Sequence, residues 1–181
     1  MSKKLLIIIP HDNFLDQEID ALLEALDEKN IMYDIASSHI SAAKGRFGKI
    51  IVPDIVIGAG INNNYDGYIF VGEEASREYL NNFEIIKLLE FIKNRSKLIG
   101  TIGYSATILT NTDLLVGKKI AAPVDIKPQL ETAGAYFSNH SLEVDSNIIT
   151  ASGSFWIKDF VDVFASHLND DTAKKGRKYL R

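Results

Sequence analysis

The string Gly103-Tyr-Ser-Ala-Thr107 follows the apolar stretch Leu98 to Ile102 and leads into a helical segment, Tyr104 to Thr110. A buried strand, a sharp turn and a helix, in that order, display a nucleophile at the edge of an α/β sheet. Here the turn residue is Gly103, which has no side chain to react with, and the chain contains no cysteine. Thiol chemistry, disulfides and thiolate metal sites are excluded together. Ser105 is the surviving nucleophile candidate, in a string that starts like a G-x-S-x-G elbow but ends in threonine. A serine at this position needs a base within hydrogen-bond reach, and Glu18, Glu73 and His140 are the candidates. The competing role for the same hydroxyl is to cap the helix that begins beside it.

Glu18 stands at the start of the first helix, where a carboxyl group either moves protons or complements the positive helix end. Asp16 has only the second role. Glu73 and Glu74 follow the strand Tyr68-Ile-Phe-Val71, at the carboxyl edge where open sheets bind ligands. Glu73 is therefore a general base, a cation-binding group or a solvated loop acid. Tyr104 can donate a hydrogen bond to a ligand, stack on it, or plug the space that Gly103 leaves. His11, His39, His140 and His167 lack paired ligand spacing, so no metal is expected. Gly58-Ala-Gly60 lacks the rest of a nucleotide fingerprint, and no cofactor is expected either.

These residues are positioned by one domain's worth of chain, 181 residues with 46% hydrophobic and 24% charged side chains. A net charge of -4 offers no general attraction for nucleic acid or an anionic membrane. The end of the chain is locally basic (Lys174, Lys175, Arg177, Lys178, Arg181) and reads as a solvated tail over 171–181, behind a single domain over 1–170. The apolar run Leu5 to Ile9 stops at Pro10, too early for a secretory leader, and no run approaches the roughly 20 residues that span a bilayer. A cytoplasmic protein is expected.

Leu5 to Ile9 is continuous and rich in β-branched residues, the pattern of a strand covered on both faces. Leu15, Ile19, Leu22, Leu23 and Leu26 then share a helical stripe, capped by Asp12 or Asn13. A strand at Met32 to Ala36 completes a βαβ unit, which requires a parallel sheet. Residues 45–61 change character, with short strands over 49–57 joined by turns, and read as a small antiparallel excursion at the sheet edge. A helix from Asn82 to Lys93 presents Phe83, Ile86, Leu89 and Ile92. Lys118 to Ala121 is a short strand, Lys127 to Ala133 a short helix, and Leu142 to Thr150 a hairpin. A last amphipathic helix runs from Phe155 to Leu168, with Phe155 and Trp156 as core or interface residues. The alternation is that of a flavodoxin-like, doubly wound α/β sandwich with a mostly parallel sheet.

From Lys4 to Leu168 the chain resembles the DJ-1/PfpI (ThiJ/PfpI) superfamily. The resemblance is carried by Tyr65-Asp-Gly-Tyr-Ile-Phe-Val-Gly72, Gly103-Tyr-Ser-Ala-Thr-Ile-Leu109, Leu115-Val-Gly-Lys-Lys119 and Ile148-Ile-Thr-Ala-Ser-Gly153, in that order. It implies an elbow cysteine at the position of Gly103, its partner glutamate at Glu18, and a glycine pair at Gly72-Glu73, whose second member is replaced. A histidine of some members would fall near Ala122 or Pro123. The resemblance thus implies a pocket of Glu18, Gly72, Glu73, Gly103, Tyr104 and Ser105 in a homodimer or larger homo-oligomer. Glycine relaxes the strained turn that a nucleophile would occupy, at a saving of about 1–3 kcal/mol. Burial of Glu18 without a thiol would raise its pKa. The expected function is a non-catalytic member that binds a small molecule or a protein partner. The alternative is a cysteine-independent hydrolase or lyase, peptidase-like or glyoxalase/deglycase-like, using Ser105 with Glu18, Glu73 or His140. A third reading is a structural subunit that partners an active relative.

Overall fold

The computed structural model describes residues 3–61 and 63–169; the basic tail read over 171–181 lies outside the described residues. The chain opens with strand β1 (Lys4–Ile8), a short β2 (Asp12–Phe14), helix α1 (Asp16–Glu28) and β3 (Met32–Ser37). Short strands β4 (Ala43–Gly45), β5 (Ile50–Ile51) and β6 (Ile55–Val56) precede β7 (Gly67–Phe70), helix α2 (Phe83–Asn94) and β8 (Leu98–Ile102). Then come β9 (Lys119–Ala121), α3 (Lys127–Thr132), β10 (Tyr136–Ser138), β11 (Leu142–Asp145), β12 (Ile148–Ala151) and α4 (Ile157–Asn169).

Seven strands form the main sheet in the order β11-β12-β8-β7-β1-β3-β6. All its pairings are parallel except the β11–β12 hairpin. Strand β1 shows why the sheet is covered on both sides. Leu6 and Ile8 join one core with Ile85, Leu88, Leu89 and Ile92 of α2. Leu5, Ile7 and Ile9 join the other, with Ile19, Leu22 and Leu26 of α1 and Phe160 and Phe164 of α4. The period-two alternation of a pleated strand therefore feeds two apolar layers. After β1 the chain builds outward through β3 and β6, then returns to β1's other side with β7. That reversal opens a crevice at the carboxyl ends of the strands.

Three local expectations need correction. Asp12 and Asn13 do not cap α1; they lie in β2, and Leu15 occupies the cap position without a side-chain bond. The first turn is anchored differently, because Asp16 accepts the N–H groups of Phe47 at 3.1 Å and Lys49 at 2.8 Å. The excursion is smaller than expected: β2, β4 and β5 form a separate three-stranded sheet, whereas β6 pairs in parallel with β3 in the main sheet. On α2 the apolar face is Ile85, Leu88, Leu89 and Ile92, and Phe83 is exposed under the ammonium of Lys87. Asn82 does cap α2, accepting from Glu84 and Ile85 N–H.

Candidate functional site

Strand β8 ends at Ile102, and Gly103 turns the chain with φ +58° into a 3-10 helix, Gly103–Asn111. A left-handed φ costs an L side chain about 1–2 kcal/mol, and glycine escapes that cost. The nearest atoms to the point where a Cβ would stand are Glu73 Oε1 at 3.7 Å, Gly153 Cα at 3.8 Å and Glu18 Oε1 at 4.0 Å. These are ordinary contact distances, so two carboxyl groups face one point above the turn. The three atoms come from different places in the chain: Glu18 from the first turn of α1, Glu73 from the segment after β7, and Gly153 from the turn between β12 and α4.

Glu18 is fully buried. Its Oε2 accepts the N–H of Gly72 at 2.8 Å, while Oε1 has no hydrogen-bond partner among the described residues. Burial, then the neighbouring charge of Glu73, push its pKa up to about 8, against the N–H groups of Gly72 and Glu73. The group is therefore mostly a neutral acid at pH 7, and since Oε2 is an acceptor the proton belongs on Oε1. Glu73, half-buried with φ +53°, is also raised, by burial first and then by Glu74, while Arg46 opposes the shift. Gly72 fixes the approach of these groups. With φ +135°, a Cβ there would stand 2.3 Å from Pro10 Cδ, so only glycine lets β7 pass the end of β1.

The hydroxyl of Ser105 is engaged by backbone groups. Its fully buried hydroxyl lies 2.7 Å from the carbonyl oxygens of both Phe70 and Ile102 and accepts the N–H of Ile102 at 3.0 Å. It ties the ends of β7 and β8 together, and none of its hydrogen bonds reaches Glu18, Glu73 or His140. His140 bonds Glu143 at 2.7 Å in the turn between β10 and β11. The base that a Ser105-based hydrolase or lyase requires is not among the hydrogen-bond partners of Ser105. Tyr104 turns its hydroxyl to Asp125, donating at 2.6 Å, with the guanidinium of Arg77 5.3 Å from its ring centroid. That bond, helped by burial, holds the phenol up at about 12.

Sequence reasoning brought Glu18, Gly72, Glu73, Gly103, Tyr104 and Ser105 to one sheet edge, and the structure gathers them there. It missed Pro10, Arg46, Asp125 and Gly153. Gly153 was legible in the string before the last helix; Arg46 acts from a turn and Asp125 from the 3-10 helix Val124–Ile126, and nothing in their local spacing marks them. Among the described residues there is no group of three or more His, Asp or Glu that could hold a metal ion. No helix among them is long and apolar enough to cross a membrane.

The match to a family model decides the kinship: the DJ-1/PfpI family model covers residues 3–166. The chain belongs to the DJ-1/PfpI family. An uncharacterized protein of Methanocaldococcus jannaschii is 30% identical over 154 residues, covering 83% of this chain and 74% of that protein. One of Staphylococcus epidermidis is 29% identical over 158 residues, 83% of this chain and 89% of the relative. Among solved structures, the ThiJ/PfpI domain protein of Brachyspira murdochii superposes with a TM-score of 0.86 at 20% identity, covering 93% of this chain and 97% of its own. Drosophila melanogaster DJ-1beta gives 0.83 at 20% identity, over 97% and 95%. The DJ-1/PfpI fold is thus established, and this member carries it without any cysteine.

Proposed function

We propose that this DJ-1/PfpI protein does no thiol chemistry and binds a small polar molecule above Gly103, against Glu18 and Glu73. The observation that carries this reading is the buried Oε1 of Glu18, which lacks a partner and stands 4.0 Å from the point a Cβ would take. A buried polar atom left unpaired costs about 1–3 kcal/mol, and a ligand that pairs with it recovers that energy. With Gly103 in the turn and Ser105 bonded to backbone, the site holds carboxyl groups but no activated nucleophile.

A homodimer or larger homo-oligomer belongs to the same proposal, supported by the exposed Phe47, Ile50 and Val52 on the excursion. The test is an activity screen of the purified protein with peptide substrates and an α-oxoaldehyde, paired with NMR of the Gly103, Tyr104 and Gly153 amides during small-molecule titration. We expect saturable shifts at these amides without turnover. Turnover that Glu18→Gln abolishes would overturn the non-catalytic reading.

A further inference from the structure

The geometry points to a primary ammonium group as the ligand chemistry of this site: we infer that a small amine sits above Gly103, donating to Oε1 of Glu18 and Oε1 of Glu73. The inference rests on the reading that this point is a binding site, and adds what binds there.

Groups from three separate parts of the chain surround the point above Gly103. Two of the three nearest atoms are carboxyl oxygens from separate elements, and the third is the Cα of Gly153. The carboxyl of Glu18 is fixed in orientation because its other oxygen is held by the Gly72 N–H. Its free oxygen is fully buried, unpartnered, and aimed at the point rather than at solvent. An anion brought there would meet the charge of Glu73, reinforced by Glu74 and Asp125, with Arg46 as the opposing cation. A metal ion would find two carboxyl groups, and no set of three metal-ligating side chains exists among the described residues. An ammonium is a compact charge with three donors. Two of them suit the two carboxyl oxygens, and its carbon stem leaves between Glu73 and Gly153, both only half-buried.

Binding has a proton signature. Glu18 keeps its proton because burial and the Glu73 charge both disfavour the anion. A cation between the two carboxyl groups reverses the second effect, so the amine enters as Glu18 gives its proton to solvent. Glu73 and Glu74, Arg46 from the excursion, and Asp125 with Tyr104 are the charged and titratable groups that bear on this balance. Below the pKa of about 8, affinity should rise about tenfold for each pH unit, then level off.

The experiment titrates the whole protein with methylammonium chloride, sodium acetate and methylurea at pH 6, 7 and 8.5, at matched ionic strength. It follows the Gly103 and Gly153 amides and the Glu18 carboxyl carbon by NMR. Expected are saturable shifts with methylammonium alone, about tenfold tighter binding at pH 7 than at pH 6, and an ionised Glu18 in the complex. Glu18→Gln should abolish the pH dependence while Glu73→Gln weakens binding at every pH, each variant first shown to be folded by its amide spectrum. Shifts with acetate or methylurea but not methylammonium overturn the ammonium assignment and leave the binding site standing. Silence with all three probes overturns both. Methylammonium binding that weakens as pH rises from 6 to 8.5 overturns the assignment as well.

Discussion

Glu18→Gln changes one buried group and should change how stability depends on pH. The carboxyl of Glu18 titrates near its ordinary value of 4.5 when the chain is unfolded and at about 8 when folded. Between those values the folded state binds more protons than the unfolded one, so stability falls as pH rises. The loss begins above about pH 4.5 and is complete once pH passes about 8. At about 1.4 kcal/mol per unit of pKa difference, the loss between pH 5 and 8 is on the order of 3 kcal/mol. Glutamine keeps a carbonyl oxygen for the Gly72 N–H and has nothing to ionise, so the variant should lack this slope. Urea unfolding at pH 5, 6, 7 and 8 measures the difference between the two proteins, in which titrating groups that do not interact with Glu18 cancel and Glu73 alone is coupled to it. We expect Glu18→Gln to gain on the parent by about 3 kcal/mol across that range. Curves parallel to within about 0.5 kcal/mol would refute the claim that Glu18 is held neutral by burial.

The two glycines of the site should respond differently to the same change. Gly103→Ala meets only ordinary contacts and pays for its left-handed φ, about 1 kcal/mol, or a Tm lower by about 2–4 °C in calorimetry. Gly72→Ala drives a Cβ into the Pro10 ring and should lose about 3 kcal/mol or more, or fail to fold, in the same assay. Ser105→Ala removes the tie between the ends of β7 and β8 and should lower urea stability by about 1–3 kcal/mol while leaving methylammonium binding in place. Asp125→Asn should let the Tyr104 phenol titrate lower than its present value of about 12, read from the ring carbon beside its hydroxyl by NMR.

Much of the architecture was legible because hydrophobic period reports burial directly. The run Leu5 to Ile9 announces a strand covered on both faces, and every residue of it is buried. The stripe through Ile19, Leu22 and Leu26 announces α1's inward face in the same way. Local errors arose where two tertiary contacts outweighed a local preference. Asp12 and Asn13 have good capping side chains, yet their backbone is taken into β2 by pairing with β4. Phe83 fits the apolar stripe by spacing, but the layer beneath α2 is filled by Ile85 and Leu88.

The site divides along the same line. Gly103 in a strand-turn-helix string, the missing cysteine and the family resemblance placed the turn and its surroundings from residue types alone, because those features are local. The fate of Ser105 was not local: its hydroxyl is spent on Phe70, 35 residues earlier in the chain. The meeting of Glu18 and Glu73 at one point, and the charge of Glu73 that Glu18 feels, likewise exist only once α1 packs on the sheet and Glu18 reaches the end of β7. Composition and periodicity determine which elements form and which faces they bury. Distances between side chains far apart in sequence, and hence the pKa of Glu18 and its bond to Gly72, are set by how those elements close upon one another.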